Sequence, residues 1–92
     1  MKTTNQVIGE KLKAARLKAG LTQTEVATRL GLSSPMFVHL LESGKSKVPF
    51  KTLGQLSIIL GFKAEPILNL ILGHYAQEKR LEFEAGKKSP RG

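Results

Sequence analysis

The sequence predicts an all-α domain built from five helices. Apolar residues recur every three or four positions along most of the chain, which is helical spacing, and no stretch alternates cleanly between apolar and polar residues as a half-buried strand would. A glycine follows each of the first four apolar stripes, where it favours a helix C-terminus; these glycines are Gly20, Gly31, Gly44 and Gly61. Ninety-two residues suit one domain.

The first two helices have clear boundaries in the sequence. The stripe of the first helix consists of Ile8, Leu12, Ala15 and Ala19. The segment Thr22-Gln23-Thr24-Glu25 has the pattern of a capping box, in which Thr22 and Glu25 each bond the other's backbone N–H. We therefore expect the second helix to begin at Thr22, with Val26, Ala27 and Leu30 on its buried side.

The third helix should have Ser34 as its N-cap and Pro35 in its first turn, where the missing N–H costs nothing. Val38 and Leu41 are its expected core residues. The fourth helix has an apolar stripe of Leu53, Leu56, Ile59 and Leu60.

The ends of the chain are predicted from composition. We expect a flexible N-terminal arm over residues 1–6 and one domain over 7–84, whose last helix covers about 65–84. Residues 85–92 are basic and rich in Gly and Pro, so we predict a disordered tail.

The positive charge lies mainly in the first two-thirds of the chain. The formal net charge is +8, and residues 1–63 hold ten Lys or Arg against three Glu, whereas residues 64–92 hold five against four. This excess could bind a polyanion such as nucleic acid, but a basic surface that binds no partner would have the same charge.

Other classes of function find little support in the sequence. The chain has no Cys and no Asp, and His39 and His74 are its only histidines, so we expect no metal, no cofactor and no enzymatic activity. The N-terminus lacks the apolar core of a signal peptide and no run of eighteen apolar residues occurs. We therefore expect no membrane partner and a cytoplasmic location.

The second and third helices have the organisation of a helix-turn-helix. Their connection, Gly31-Leu32-Ser33, is short, and a glycine there permits positive φ and a steep angle between the helices. Such an angle leaves one face of the third helix free to enter a DNA major groove about 12 Å wide. A glycine turn between two helices is common, so this pattern is weak by itself.

The surrounding residues resemble the Cro/C1-type (XRE) helix-turn-helix family of phage repressors and their bacterial relatives. The resemblance covers roughly residues 7–72 and is carried by Gly20 to Ala27, Leu30-Gly31, Ser34-Pro35-Met36-Phe37-Val38 and Glu42-x-Gly44-Lys45-Ser46-Lys47-x-Pro49. It implies a lambda-repressor-like fold and a transcriptional regulator that binds double-stranded DNA in a bacterial or phage-infected cell, at the nucleoid when bound.

The resemblance also implies residue roles. Gln23 matches a position that contacts the DNA backbone in relatives, and such contacts are also implied for Thr22, Ser43, Lys45, Lys47 and Lys51. Arg16 and Glu42 match a structural pair that joins the first helix to the end of the third. Physically, side-chain amides, hydroxyls and ammonium groups suit phosphate oxygens, and a bidentate Arg–carboxylate bond suits the structural role.

The positions that read bases in relatives match Ser33, Ser34, Pro35, Met36, His39 and Leu40. Relatives often have Gln, Ser and Asn where this chain has Met36, His39 and Leu40. Because Met36 and Leu40 are apolar and lie opposite the core residues, the third helix of this chain is apolar nearly all round. Three explanations remain open. Met36 and Leu40 could pack on thymine methyl groups, they could pack on another protein, or the predicted register could be wrong by one residue.

Helix-turn-helix proteins commonly bind two half-sites as dimers. Ile67, Leu70, Ile71 and Tyr75 could form a two-fold seam on the last helix, unless this apolar run only completes the monomer core. The preferred prediction is thus a homodimeric, sequence-specific repressor. The rival is a protein-interaction module of the antitoxin or anti-repressor type that binds its partner through the third helix.

Overall fold

The computed structural model describes residues 1–88, which form five α-helices and no strand. The helices are α1 (Thr4–Lys18), α2 (Gln23–Arg29), α3 (Met36–Ser43), α4 (Phe50–Leu60) and α5 (Glu65–Lys88). The predicted all-α, five-helix class is therefore confirmed.

One hydrophobic core receives side chains from all five helices. α1 packs chiefly against α3 and also contacts α5, while α2 packs on α3. Val26 of α2 and Leu53 of α4 are the largest fully buried side chains. The whole buried set is Ile8, Leu12, Val26, Ala27, Val38, Leu41, Leu53, Leu56, Leu60 and Ile67.

Two helices begin at capping boxes. At α2, Thr22 Oγ1 accepts from the Glu25 N–H at 3.1 Å, and the Thr22 N–H donates to Glu25 Oε1 at 3.0 Å. The bond from the Thr22 N–H to the carboxylate holds the pKa of Glu25 below its ordinary value, because it favours the ionised form. The sequence predicted this helix start correctly.

The N-terminal arm predicted for residues 1–6 is wrong beyond Thr3. Thr3 caps α1 by accepting from the Gln6 N–H at 3.1 Å, and the Gln6 amide oxygen accepts from the Thr3 N–H at 2.8 Å. α1 consequently begins at Thr4. The reciprocal bonds satisfy two N–H groups that a fraying helix end would leave open.

The last helix is longer than predicted. α5 continues to Lys88, so residues 85–88 are helical and not part of a disordered tail; residues 89–92 of that predicted tail lie outside the described residues. Lys79 pairs with Glu82 and Lys87 with Glu84, each one turn apart on the helix. Such pairs and two lysines in the final turn favour a helical end. None of the helices in residues 1–88 is both long and apolar enough to cross a membrane.

Candidate nucleic-acid interface

α2 and α3 are joined by a tight turn that Gly31 makes possible. Gly31 has φ +79°, a conformation that costs a glycine little, and the Leu32 N–H donates to the Ala27 carbonyl at 2.9 Å across the turn. Val26 and Ala27 of α2 and Val38 and Leu41 of α3 are buried in the same core. The opposite side of α3 is left facing outward.

Three of the six predicted base-reading residues lie on α3, and the other three, Ser33, Ser34 and Pro35, precede it. Met36 is 60% exposed, His39 is exposed and Leu40 is half-buried. Phe37 packs partly against the core instead. The predicted register of α3 is therefore right, and the explanation that it was wrong by one residue is excluded.

α3 starts one residue later than predicted. Pro35, with φ −79° and ψ 0°, takes the N-cap place that was predicted for Ser34, and the helix begins at Met36. Ser34 still bonds the helix end, because its Oγ accepts from the Met36 N–H at 3.4 Å. An open depression of about 250 Å³ lies at this end of α3; its lining consists of Leu32, Ser33, Ser34, Met36, Phe37 and Leu40.

The other end of α3 is tied to α1 by a buried ion pair. Arg16 Nε donates to Glu42 Oε2 at 2.6 Å and Arg16 Nη2 donates to Glu42 Oε1 at 3.0 Å. The third Arg16 nitrogen, Nη1, donates to the Leu21 carbonyl at 2.9 Å. Hydrogen bonding to Glu42 raises the pKa of Arg16 further above its already high ordinary value. The pair is bidentate and has the geometry expected for a structural role.

Gln23 belongs to the same network, a contact that sequence reasoning missed. Its Nε2 donates to Glu42 Oε1 at 3.0 Å, and the side chain is half-buried. The bond joins residues nineteen positions apart, so no local spacing signalled it. An amide nitrogen carries two hydrogens, and the second remains available for a phosphate oxygen.

The predicted backbone-contacting residues lie at both ends of the helix-turn-helix. Lys45 and Lys47 are exposed on the loop after α3, and Lys51 is exposed at the start of α4. None of these three lysines forms a salt bridge within the described part of the chain. Ser43 differs from them: its Oγ donates to the Leu40 carbonyl at 3.2 Å, so its hydrogen is already used inside α3.

The predicted dimer residues divide into two groups. Ile67 is only 5% exposed and belongs to the monomer core, so its assignment to a dimer seam is wrong, and Ile71 is half-buried against the same core. Leu70 and Tyr75 are exposed. Three further apolar side chains of α5 are exposed and were not in the predicted set: Leu72, Leu81 and Phe83.

Two helices joined at a glycine, with one face of the second helix exposed and lysines that form no salt bridge within residues 1–88 after it, are the arrangement of helix-turn-helix DNA-binding proteins. The helix-turn-helix family model HTH_3 matches residues 12–67. The chain therefore belongs to this XRE-type helix-turn-helix family, as the sequence predicted. Its members are DNA-binding transcriptional regulators and not enzymes.

Solved structures of the same fold support this placement. Two crystal structures of the clp gene regulator ClgR from Corynebacterium glutamicum superpose with a TM-score of 0.66 at 24% identity. The first match covers 80% of this chain and 95% of the ClgR chain, and the second covers 97% of both. No curated protein matches the chain.

Proposed function

We propose that this protein is a homodimeric repressor that recognises a specific double-stranded DNA sequence by inserting α3 into the major groove. The observation that carries the proposal is the placement of α3: its inner side is buried, its outer side is exposed, and the three exposed lysines that follow it in the chain have no acidic partner among residues 1–88. A face of this kind can approach a polyanion without first breaking ion pairs.

The proposed docking mode uses two sets of phosphate contacts around α3. On one side lies the N-terminus of α2, where the second amide hydrogen of Gln23 can reach a phosphate oxygen. On the other side lie Lys45 and Lys47 of the loop and Lys51 of α4. Contacts on both sides would fix the orientation of α3, which reads the bases between them.

The proposed dimer forms through α5. This helix is 24 residues long, and apart from Ile67 none of its residues is buried. Leu70 and Tyr75 of the predicted seam, together with Leu72, Leu81 and Phe83, expose apolar side-chain area on α5. A two-fold pairing of α5 would cover part of this area and present two α3 helices to half-sites about 34–36 Å apart.

A second candidate function is a protein-interaction module that holds a partner through α3, as an antitoxin or anti-repressor would. Met36 is 60% exposed, and the outward face of α3 has few side chains that form hydrogen bonds. An exposed apolar side chain on such a face favours this candidate. A salt titration of binding to random duplex DNA separates the two. Steep loss of affinity with salt supports the repressor, and no binding even at low salt supports the interaction module.

The docking mode is tested with Gln23→Ala and Lys45→Ala. Both variants should bind every duplex more weakly, and Lys45→Ala should reduce the slope of log affinity against log salt by about 1, the loss of one phosphate contact. Fluorescence anisotropy on the best duplex selected from a random pool provides the measurement. A palindromic selected sequence would also support the dimer.

Lys13→Ala is the matched control. Lys13 is an exposed lysine of α1 that forms no salt bridge among the described residues, and its substitution lowers the net charge by the same amount as Lys45→Ala. It should change affinity and salt slope much less than Lys45→Ala. If Gln23→Ala and Lys45→Ala both bind the best duplex as tightly as the unchanged protein, the docking mode is wrong.

A further inference from the structure

We infer that the depression at the N-terminal end of α3 is a binding site for the C5-methyl groups of pyrimidines in the major groove. The protein would then select thymine at the contacted positions, and 5-methylcytosine over cytosine. This inference rests on the proposed function, because it requires α3 to lie in the groove.

The chemistry of the depression matches a methyl group better than any other feature of a base edge. Four of its six lining residues are apolar, among them Leu32, Met36 and Leu40, and the other two are serines. Met and Leu cannot donate or accept the hydrogen bonds by which guanine, adenine and cytosine are read in the major groove. The thymine methyl is the one apolar group that unmodified base pairs present there.

The spacing of exposed Met36 and half-buried Leu40 fits two separate base pairs. Met36 and Leu40 are four residues apart, so they lie on the same face of α3 with about 6 Å of helix rise between them. Successive bases of one strand are about 3.4 Å apart along the duplex. The two side chains therefore reach methyl groups on different base pairs, roughly two steps apart.

The charge around the depression favours DNA over a protein partner as its occupant. Glu42 is the only acid of α3; its side chain is 6% exposed and is bound by Arg16. The loop that follows α3 contributes exposed Lys45 and Lys47, and Arg29 at the end of α2 is exposed beside the turn. An apolar depression on a helix without a free carboxylate, with exposed cations on the segments before and after that helix, suits a polyanion that carries methyl groups.

The test uses the full chain and the best duplex selected from a random pool. Each thymine of one half-site is replaced in turn by uracil, which keeps every hydrogen-bonding group and every phosphate and removes only the methyl. Burying one methyl predicts a loss of affinity of about fourfold at each contacted position and none elsewhere. At a contacted position, 5-methylcytosine should bind more tightly than cytosine by a similar factor.

Two variants assign the effect to the depression. Met36→Ala and Leu40→Ala should bring the thymine-to-uracil affinity ratio close to one at the position that each residue contacts. Ile58→Ala is the control, because Ile58 is an 84% exposed residue of α4 and its removal should leave the ratio unchanged. Circular dichroism of each variant verifies that the helices are intact.

The possible outcomes are distinct. Loss of affinity with uracil that disappears in Met36→Ala or Leu40→Ala supports the inference. Equal binding of the thymine and uracil duplexes overturns it while leaving DNA binding in place. A uracil effect that survives in both variants also overturns it, since another part of the protein then reads the methyl. If no duplex is bound at all, the proposed function itself fails.

Discussion

The two ends of α3 have opposite surroundings although they are only one or two turns apart. At the C-terminal end, Glu42 is enclosed by Arg16 of α1 and Gln23 of α2, and its carboxylate accepts three hydrogen bonds. At the N-terminal end, Met36 is mostly exposed and its N–H is held only by Ser34 at 3.4 Å. One end is fixed to the body of the protein, and the other is open to a ligand.

This difference indicates that stability and recognition are divided along a single eight-residue helix. Side chains at the closed end are satisfied inside the protein, so changing them should unfold it without a specific effect on base preference. Side chains at the open end touch little, so changing them should alter binding without a cost in folding. The following variants compare the two ends.

The largest effect is expected for Arg16→Ala at the closed end. The substitution leaves the carboxylate of Glu42 buried without its cation and removes the donor to the Leu21 carbonyl. Removing one partner of a buried ion pair typically costs about 3–5 kcal/mol in the free energy of unfolding, which urea denaturation measures.

The control breaks an exposed ion pair between Glu10 of α1 and Lys2, which precedes that helix. Lys2 and Glu10 pair at 2.6 Å with both side chains more than half exposed, so Glu10→Ala should cost less than about 1 kcal/mol. If the two variants lose the same stability, the Arg16–Glu42 pair does not fix the closed end of α3.

An intermediate effect is expected for Gly9→Ala. A Cβ at Gly9 would lie 2.5 Å from the Glu42 carbonyl oxygen, so α1 and the closed end of α3 would be forced apart. We expect a loss of about 1–3 kcal/mol, as for other overpacked sites. Thermal and urea unfolding both measure it.

Gly54→Ala in α4 provides a control of opposite sign. Apart from the neighbouring residues and backbone of the same helix, no described atom lies within 4 Å of a Cβ placed there, so the substitution should stabilise the protein by about 0.5–1 kcal/mol through helix propensity alone. A Gly9→Ala variant that is as stable as Gly54→Ala would show that the close approach of α1 to α3 does not matter.

The smallest effect on stability is expected for Met36→Gln at the open end. Because Met36 is mostly exposed, the free energy of unfolding should change by no more than about 0.5 kcal/mol. The preferred DNA sequence should change nevertheless, since a Gln can form a bidentate bond with adenine. Selection from a random DNA pool measures the preference. A loss of stability as large as that of Arg16→Ala would show that Met36 is needed for folding, which would contradict its placement at an exposed end of α3.

Much of the fold could be predicted because the relevant interactions are local. The capping box of Thr22 and Glu25 closes over three residues, and the glycine that ends each of the first four helices acts within its own turn. The two errors at the chain ends also concern local interactions. At the N-terminus, Thr3 and Gln6 form the same kind of capping box, so α1 begins within the predicted arm. At the C-terminus, an i,i+3 ion pair lies in the part of α5 that continues past residue 84.

By itself, the sequence determined the five-helix class and the helix-turn-helix. These follow from bonds and periodicities that span only a few residues. The tertiary structure alone decided that Gln23 shares the Glu42 carboxylate, that Ile67 belongs to the monomer core and that the side chains around Met36 form a depression. Each of these depends on how separate segments pack, and burial and long-range hydrogen bonds have no fixed spacing along a chain.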